Sequence, residues 1–222
     1  MHFWNHLNIT PQEILIDEPN ILLKKFLSDQ QEVSDNFPYN IFQLETSTVF
    51  NNNYFNLVNS VGLKPFFHSI GFIVKPNTIG NIHCDFYTTA NNYQTLNKYG
   101  EEFANNLFGG NPDKFFKVSF HIPLSPYGSL QWFKNDFGKP RAKHSDTGPW
   151  IHDFETSEAM ELQIIDELDG DNIAICKTDH PHRSFNVKNT NNNYRVILTT
   201  RFEGNPDFDT VKNKLKNFVI DR

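Results

Sequence analysis

The sequence predicts a mostly β (α+β) fold of sandwich or small-barrel, jelly-roll type, with helices flanking it at both ends. Three observations predict it. Short runs rich in β-branched and aromatic residues recur between Asn, Gly and Pro clusters. There are eight such runs, the number a small jelly roll uses. The helical signals lie outside most of them, near the N-terminus and in the tail. The eight runs are Ile41–Phe50, Phe66–Lys75, Asn81–Thr88, Phe115–Leu124, Ser129–Phe133, Met160–Leu168, Asn172–Thr178 and Tyr194–Glu203.

Each flanking element has its own local cause. Thr10-Pro11-Gln12-Glu13 has the form of a capping box with Pro at the first helical position, so a helix is expected to start there. Pro19 interrupts or restarts it, and Ile21 to Leu27 completes an amphipathic stretch. Tyr54–Leu63 and Leu96–Phe108 are candidate helices between strands, the second ended by Gly109-Gly110. Phe208–Ile220 mixes charged and apolar residues at helical spacing and predicts a closing helix. Lys134–Trp150, rich in Gly, Pro and charge, reads as a loop over one mouth of the barrel. The Asn triplets at 51–53 and 191–193 read as loops. The 222 residues carry no repeat and no linker, so a single domain over 1–222 is expected, with its core at about 41–203.

Bulk properties narrow the function classes. A formal net charge of -6 argues against a nucleic-acid partner, which needs a basic surface. No basic segment followed by an apolar run opens the chain, and no stretch approaches a membrane-spanning length. Cys84 and Cys176 both sit in apolar, strand-like contexts and read as buried thiols, which fits a reducing cytoplasm.

The chemistry concentrates in four places. In Asn81-Ile82-His83-Cys84-Asp85-Phe86, strand alternation puts His83 and Asp85 on one face. A His and a carboxylate turned into a barrel supply two ligands of a facial triad, which leaves coordination positions open on iron(II). Alone the pair is a weak signal. His144-Ser145-Asp146 repeats it, but in a charged Gly/Pro stretch only 36 residues before His182. It reads as a solvated loop.

A third ligand is expected from Asp179-His180-Pro181-His182, delivered by the strand Asn172–Thr178. His182 opens the next short strand and is preferred; His180 reads as a surface residue or a support for the site. In the last strand Arg195, Ile197, Thr199 and Arg201 share a face. That face is either solvent or interior. If interior, Arg195 offers a planar fork for a carboxylate. His121 shares a face with Ser119 on a central strand, and is either a pocket residue or a core histidine satisfied by backbone.

With those residues in place the chain resembles the iron(II)/2-oxoglutarate-dependent oxygenases, whose pattern is His-x-Asp, a distal His, then an Arg about a strand later. Pro181 to Arg195 looks like the ending of aspartyl/asparaginyl hydroxylase-like and small bacterial or phage members, with His182 and Asn186 keeping their His-x-x-x-Asn spacing. The Arg195…Arg201 spacing also resembles the paired arginines of the nucleic-acid demethylase branch. The resemblance covers about residues 66–203. It implies a double-stranded β-helix (cupin-like), Fe(II) held by His83, Asp85 and His182, and 2-oxoglutarate as cosubstrate. Either Arg195 or Arg201 would anchor that cosubstrate, with help from His121. It also implies O2 and a small-molecule, amino-acid or peptide substrate, with succinate and CO2 as co-products. A carboxylate at Asp85, where related halogenases have a small residue, points to hydroxylation, demethylation or desaturation. Two alternatives stand beside it: a cupin-like metal protein that makes no use of 2-oxoglutarate, and a non-catalytic sandwich module with His83 and His182 far apart.

Overall fold

The computed structural model describes residues 2–28, 39–85, 116–138, 141–143, 151–154, 156, 160–187 and 193–220. Its strands form two antiparallel sheets stacked face to face, as the sequence predicts. The first takes β1 (Trp4–His6), β11 (Ala174–Lys177), β6 (Val118–Pro123), β13 (Arg195–Phe202), β3 (Pro65–Val74) and β2 (Tyr39–Glu45), in that order. The second runs β10 (Ile164–Asp169), β7 (Ser129–Phe133), β12 (His182–Asn186), β5 (His83–Cys84), β9 (Ile151–Asp153) and β8 (Arg141–Lys143), with β4 (Thr78–Ile79) on β12. Apart from β2–β3 and β8–β9, neighbours in each sheet are not consecutive in sequence, as in a jelly roll.

Alternation divides each strand of the first sheet between two environments. Val118, Phe120 and Ile122 of β6, Ile175 of β11, and Val196 and Leu198 of β13 pack into one apolar core. That core is closed on its far side by α2 (Pro19–Ser28), α4 (Asn52–Ser60) and α5 (Phe208–Lys214), through Leu22, Phe26, Tyr54, Val58, Phe208 and Val211. The opposite faces of the same strands turn toward the second sheet. A smaller cluster of Phe3, Trp4, Leu130, Trp132, Leu168, Ala174 and Cys176 fills one flank between the sheets. Both cysteines are buried and unpaired, and burial pushes both thiols up in pKa. Among the described residues no helix is long and apolar enough to cross a membrane.

Local expectations met mixed outcomes. Helix α1 (Pro11–Ile14) starts where predicted, with Thr10 N–H donating to the Glu13 carboxylate at 2.6 Å. The run Ile41–Phe50 is a strand only to Glu45 and then a short helix, α3 (Thr46–Val49). The triplet at 51–53 is not a loop. Asn51 caps α4, its side-chain oxygen accepting from the N–H groups of Asn53 and Tyr54 while its amide donates to the carbonyls of Glu13 and Leu15. The strand expected over Asn81–Thr88 is regular only at His83–Cys84, and Phe86 onward lies outside the described residues. Leu96–Phe108, His144-Ser145-Asp146 and Trp150 also lie outside them. Part of the loop expected at Lys134–Trp150 is instead strand β8.

Candidate metal centre

His83 and His182 are cross-strand partners on β5 and β12, so their side chains leave the sheet on one face, with ring centroids 4.5 Å apart. Past the end of β5 the backbone of Asp85 leaves the second sheet. Its N–H donates to the Thr178 carbonyl and its own carbonyl accepts from Phe116, residues beside β11 and β6. That crossing brings the Asp85 carboxylate under both rings. Asp85 Oδ1 lies 3.6 Å from His83 Nε2 and 3.5 Å from His182 Nε2. One ligand atom from each of the three residues lies within 4.8 Å of the others.

Both imidazoles are held with the correct nitrogen inward. His83 Nδ1 donates to the carbonyl of Asn81 at 2.9 Å, and His182 Nδ1 to that of His180 at 2.8 Å. A carbonyl only accepts, so each Nδ1 carries the proton and each Nε2 presents its lone pair to Asp85. Three lone pairs aimed at one point repel one another unless a cation sits among them. Donors about 2.1 Å from one ion stand about 3 Å apart at right angles and about 3.4 Å apart at tetrahedral angles, and Asp85 Oδ1 lies 3.5–3.6 Å from the two ring nitrogens. The residues therefore fit a divalent metal of the kind that takes two histidines and a carboxylate.

The second oxygen of the carboxylate is occupied. Arg201, on β13, donates to Asp85 Oδ2 and lies over the Phe116 ring. Burial alone would push Asp85 up, but with the Arg201 guanidinium beside it the carboxyl is held well below its usual range. Asp85 is thereby kept ionised with Oδ1 turned to the two imidazoles, which suits a one-oxygen metal ligand.

The cluster opens into a cavity between the sheets, lined by Phe72, Val74, Leu130 and Ile197 on its apolar side and by Ser119, His121, Ser184 and Thr199 on its polar side. His121 sits opposite Thr199 on the paired strands β6 and β13. It is buried, and its Nε2 meets no partner among the described residues. Burial, with Arg195 and Arg201 nearby, pulls its pKa well below the usual value, so the ring is neutral. The expectation of a core histidine satisfied by backbone is not met at that nitrogen.

Arg195 lies further along the same strand face. It is 1% exposed, donates one bond to Ser184 Oγ at 2.8 Å, and is paired with no carboxylate among the described residues. Burial lowers its pKa to about 9. The face shared by Arg195, Ile197, Thr199 and Arg201 is interior, and the two arginines stand at its two ends with different partners. His180 is half-buried; its ring Nε2 is 2.7 Å from the Phe133 carbonyl, and it supports His182 from behind. Ser184 was not singled out in the sequence, although alternation from His182 already puts it on the inward face. Gly128, with φ +71°, packs so tightly on Arg195 that a Cβ there would meet its Cδ at 2.5 Å. Nothing in the local sequence marks that contact.

Fold and site together define a jelly-roll protein with a two-histidine, one-carboxylate cluster in its interior. No family model matches the chain, and no curated protein sequence does. Among solved structures it is similar to HygX from Streptomyces hygroscopicus with nickel and 2-oxoglutarate bound, at 9% identity and TM-score 0.43 over 92% of this chain and 82% of that one. Apo HygX gives 8% identity and TM-score 0.34 over 86% and 80%. Vicilin from Corylus avellana (hazelnut) gives 8% identity and TM-score 0.34 over 77% of this chain, which spans only 30% of the vicilin chain. Likenesses this distant carry no argument about function, which has to come from the residues of the site.

Proposed function

We propose that this protein is an iron(II)- and 2-oxoglutarate-dependent oxygenase acting on a small molecule, amino acid or peptide side chain. One observation carries the reading. A single strand face, β13, presents Arg201 to the carboxylate of a three-ligand cluster and, at its other end, a buried arginine that meets no anion among the described residues. A buried cation without a partner is costly. A dicarboxylate bound at the cluster by one end would bring the missing anion with the other.

In this reading His83, Asp85 and His182 hold the metal through Nε2, Oδ1 and Nε2. When bound, iron(II) with 2-oxoglutarate and O2 supplies the oxidation of a substrate C–H bond, one oxygen atom going to the substrate and one to succinate, with release of CO2. Arg195 takes the distal carboxylate of the cosubstrate by charge-assisted hydrogen bonds, with Ser184 fixing its fork. Arg201 keeps Asp85 ionised and turned, a supporting role that leaves the cosubstrate to Arg195. His121, neutral and with a ring nitrogen that meets no partner among the described residues, hydrogen-bonds whatever fills the cavity. Phe72, Val74, Leu130 and Ile197 exclude water from that space.

A cupin-like protein without 2-oxoglutarate has no use for a buried Arg195 that meets no carboxylate among the described residues, and a sandwich module with distant histidines does not match cross-strand partners. The test is anaerobic reconstitution with Fe(II), then aerobic assay of succinate formed from 2-oxoglutarate. Asp85→Gly should lose that activity while retaining weakened metal binding. Wild-type succinate formation in Asp85→Gly, or none in a metal-loaded wild type even with a broad panel of substrates, would refute the assignment.

A further inference from the structure

His182 is held from outside the cavity as well as from within. Its Nδ1 bond goes to the carbonyl of His180, and the His180 ring is tied at Nε2 to the Phe133 carbonyl. On the His180 ring lies Phe3, with centroids 4.6 Å apart. Phe3 also faces Trp132 at 6.1 Å, and the fully buried Trp132 faces His182 at 6.3 Å while its indole N–H donates to the Lys177 carbonyl. Three aromatic groups thus stand between the N-terminal strand and one ligand.

That strand is anchored to both sheets. β1 pairs with β11 at the edge of the first sheet, and Lys177 N–H donates to the Phe3 carbonyl at 2.7 Å. Phe3 N–H and the Trp4 indole N–H then reach across to the two oxygens of Asp166 on β10, the edge of the second sheet, at 3.1 and 3.2 Å. A short edge strand would contribute little on its own. Here it closes the smaller apolar cluster and bolts the sheet edges together beside the metal cluster.

We infer that the N-terminal strand is a positioning element of the metal centre: Phe3, clamped through Asp166, holds His180 and so sets the orientation of His182. The inference rests on the cluster being a metal site. Phe3 touches neither metal nor substrate and acts only through the ring it packs on. An imidazole turns freely about its Cβ–Cγ bond unless its second nitrogen is held, and supports of this kind tune ligand affinity. Without the Phe3 ring, His180 loses its packing on one face, and the carbonyl that holds Nδ1 loses its fixed place.

The test uses the full-length, metal-free protein titrated with Co(II), followed by its visible d–d absorption. Phe3→Ala should weaken Co(II) binding by about tenfold or more and alter the band shape, because His182 still ligates but in a changed geometry. Leu22→Ala, in the helical core away from the site, serves as a control of comparable loss in melting temperature and should stay within about twofold of wild type with the same spectrum. If Phe3→Ala does not fold, Phe3→Leu, which keeps apolar volume but removes the flat ring, takes its place in the same comparison. A Phe3 variant with wild-type affinity and spectrum, or a Leu22→Ala protein weakened equally, overturns the inference alone, provided His182→Ala abolishes binding. A wild type that takes up no Co(II), or a His182→Ala protein that binds as well as wild type, brings down both this inference and the metal-site reading.

Discussion

Replacing Arg195 by Met should stabilise the ligand-free protein while removing its response to 2-oxoglutarate. Burial takes the guanidinium from its ordinary 12.5 to about 9. At about 1.4 kcal/mol per pH unit, that is roughly 5 kcal/mol against the charged form. Met, similar in reach, removes this cost. It forfeits the bond to Ser184, about 1 kcal/mol, and leaves a small void worth another ~1–2 kcal/mol. The net expectation is a gain of about 2–3 kcal/mol, in the range seen when buried charges are replaced by apolar groups. For a chain of this size that raises the melting temperature by about 2–4 °C per kcal/mol. Cosubstrate binding moves the other way, because two charge-assisted bonds of about 1.5–3 kcal/mol each are lost, or about 10²–10⁴-fold in affinity. The pH dependence has a definite sign. The folded chain holds the Arg195 proton less tightly than the unfolded chain, so the cost is complete below about pH 9 and shrinks as pH rises. The gap between wild type and Arg195→Met should narrow from about pH 8 to about pH 10. Thermal melts and calorimetric titration of 2-oxoglutarate with Co(II) present measure all three. A ligand-free Arg195→Met protein that melts several degrees below wild type, or one whose 2-oxoglutarate affinity is unchanged, would refute the reasoning.

Arg201→Met should do the opposite, costing about 2–3 kcal/mol in the metal-free protein, because it strips the cation from the mostly buried Asp85 carboxylate; urea unfolding reads the difference. Gly128→Ala places a Cβ in a left-handed conformation, 2.5 Å from Arg195 Cδ and 2.7 Å from the Phe185 carbonyl. A loss of about 2 kcal/mol or more is expected, with weaker 2-oxoglutarate binding in calorimetry as Arg195 is displaced. His121→Leu removes a buried nitrogen that meets no partner among the described residues and should leave ligand-free stability equal or higher by about 1 kcal/mol, while weakening cosubstrate binding. Asn51→Ala should cost about 1–2 kcal/mol through the lost cap of α4 and leave Co(II) affinity unchanged, since that cap lies in the helical layer.

Much of the site was legible because its signals are periodic or local. Alternation along β13 was enough to group Arg195, Ile197, Thr199 and Arg201, and the same rule linked His83 with Asp85. The delivery of His182 by a turn after an apolar strand could also be read from the chain alone. What alternation could not say was which face is interior. That was decided by two layers: the helices claimed Val196 and Leu198, which turned the arginines toward the second sheet. Local polar runs misled where their roles depend on distant partners. The Asn51–Asn53 triplet looked like a loop, yet Asn51 caps a helix and bonds the carbonyls of Glu13 and Leu15. The division of labour between the arginines was likewise tertiary, since Asp85 meets Arg201 across 116 residues of sequence. The strand ahead of the capping box, Trp4–His6, was not legible for the same reason. Phe3 and Trp4 meet Asp166, more than 160 residues away, through bonds that exist once both sheets have closed. A sequence displays which groups a strand face carries; only the folded chain brings charge to opposite charge and ring to ring, because those pairings depend on distance in space and not along the backbone.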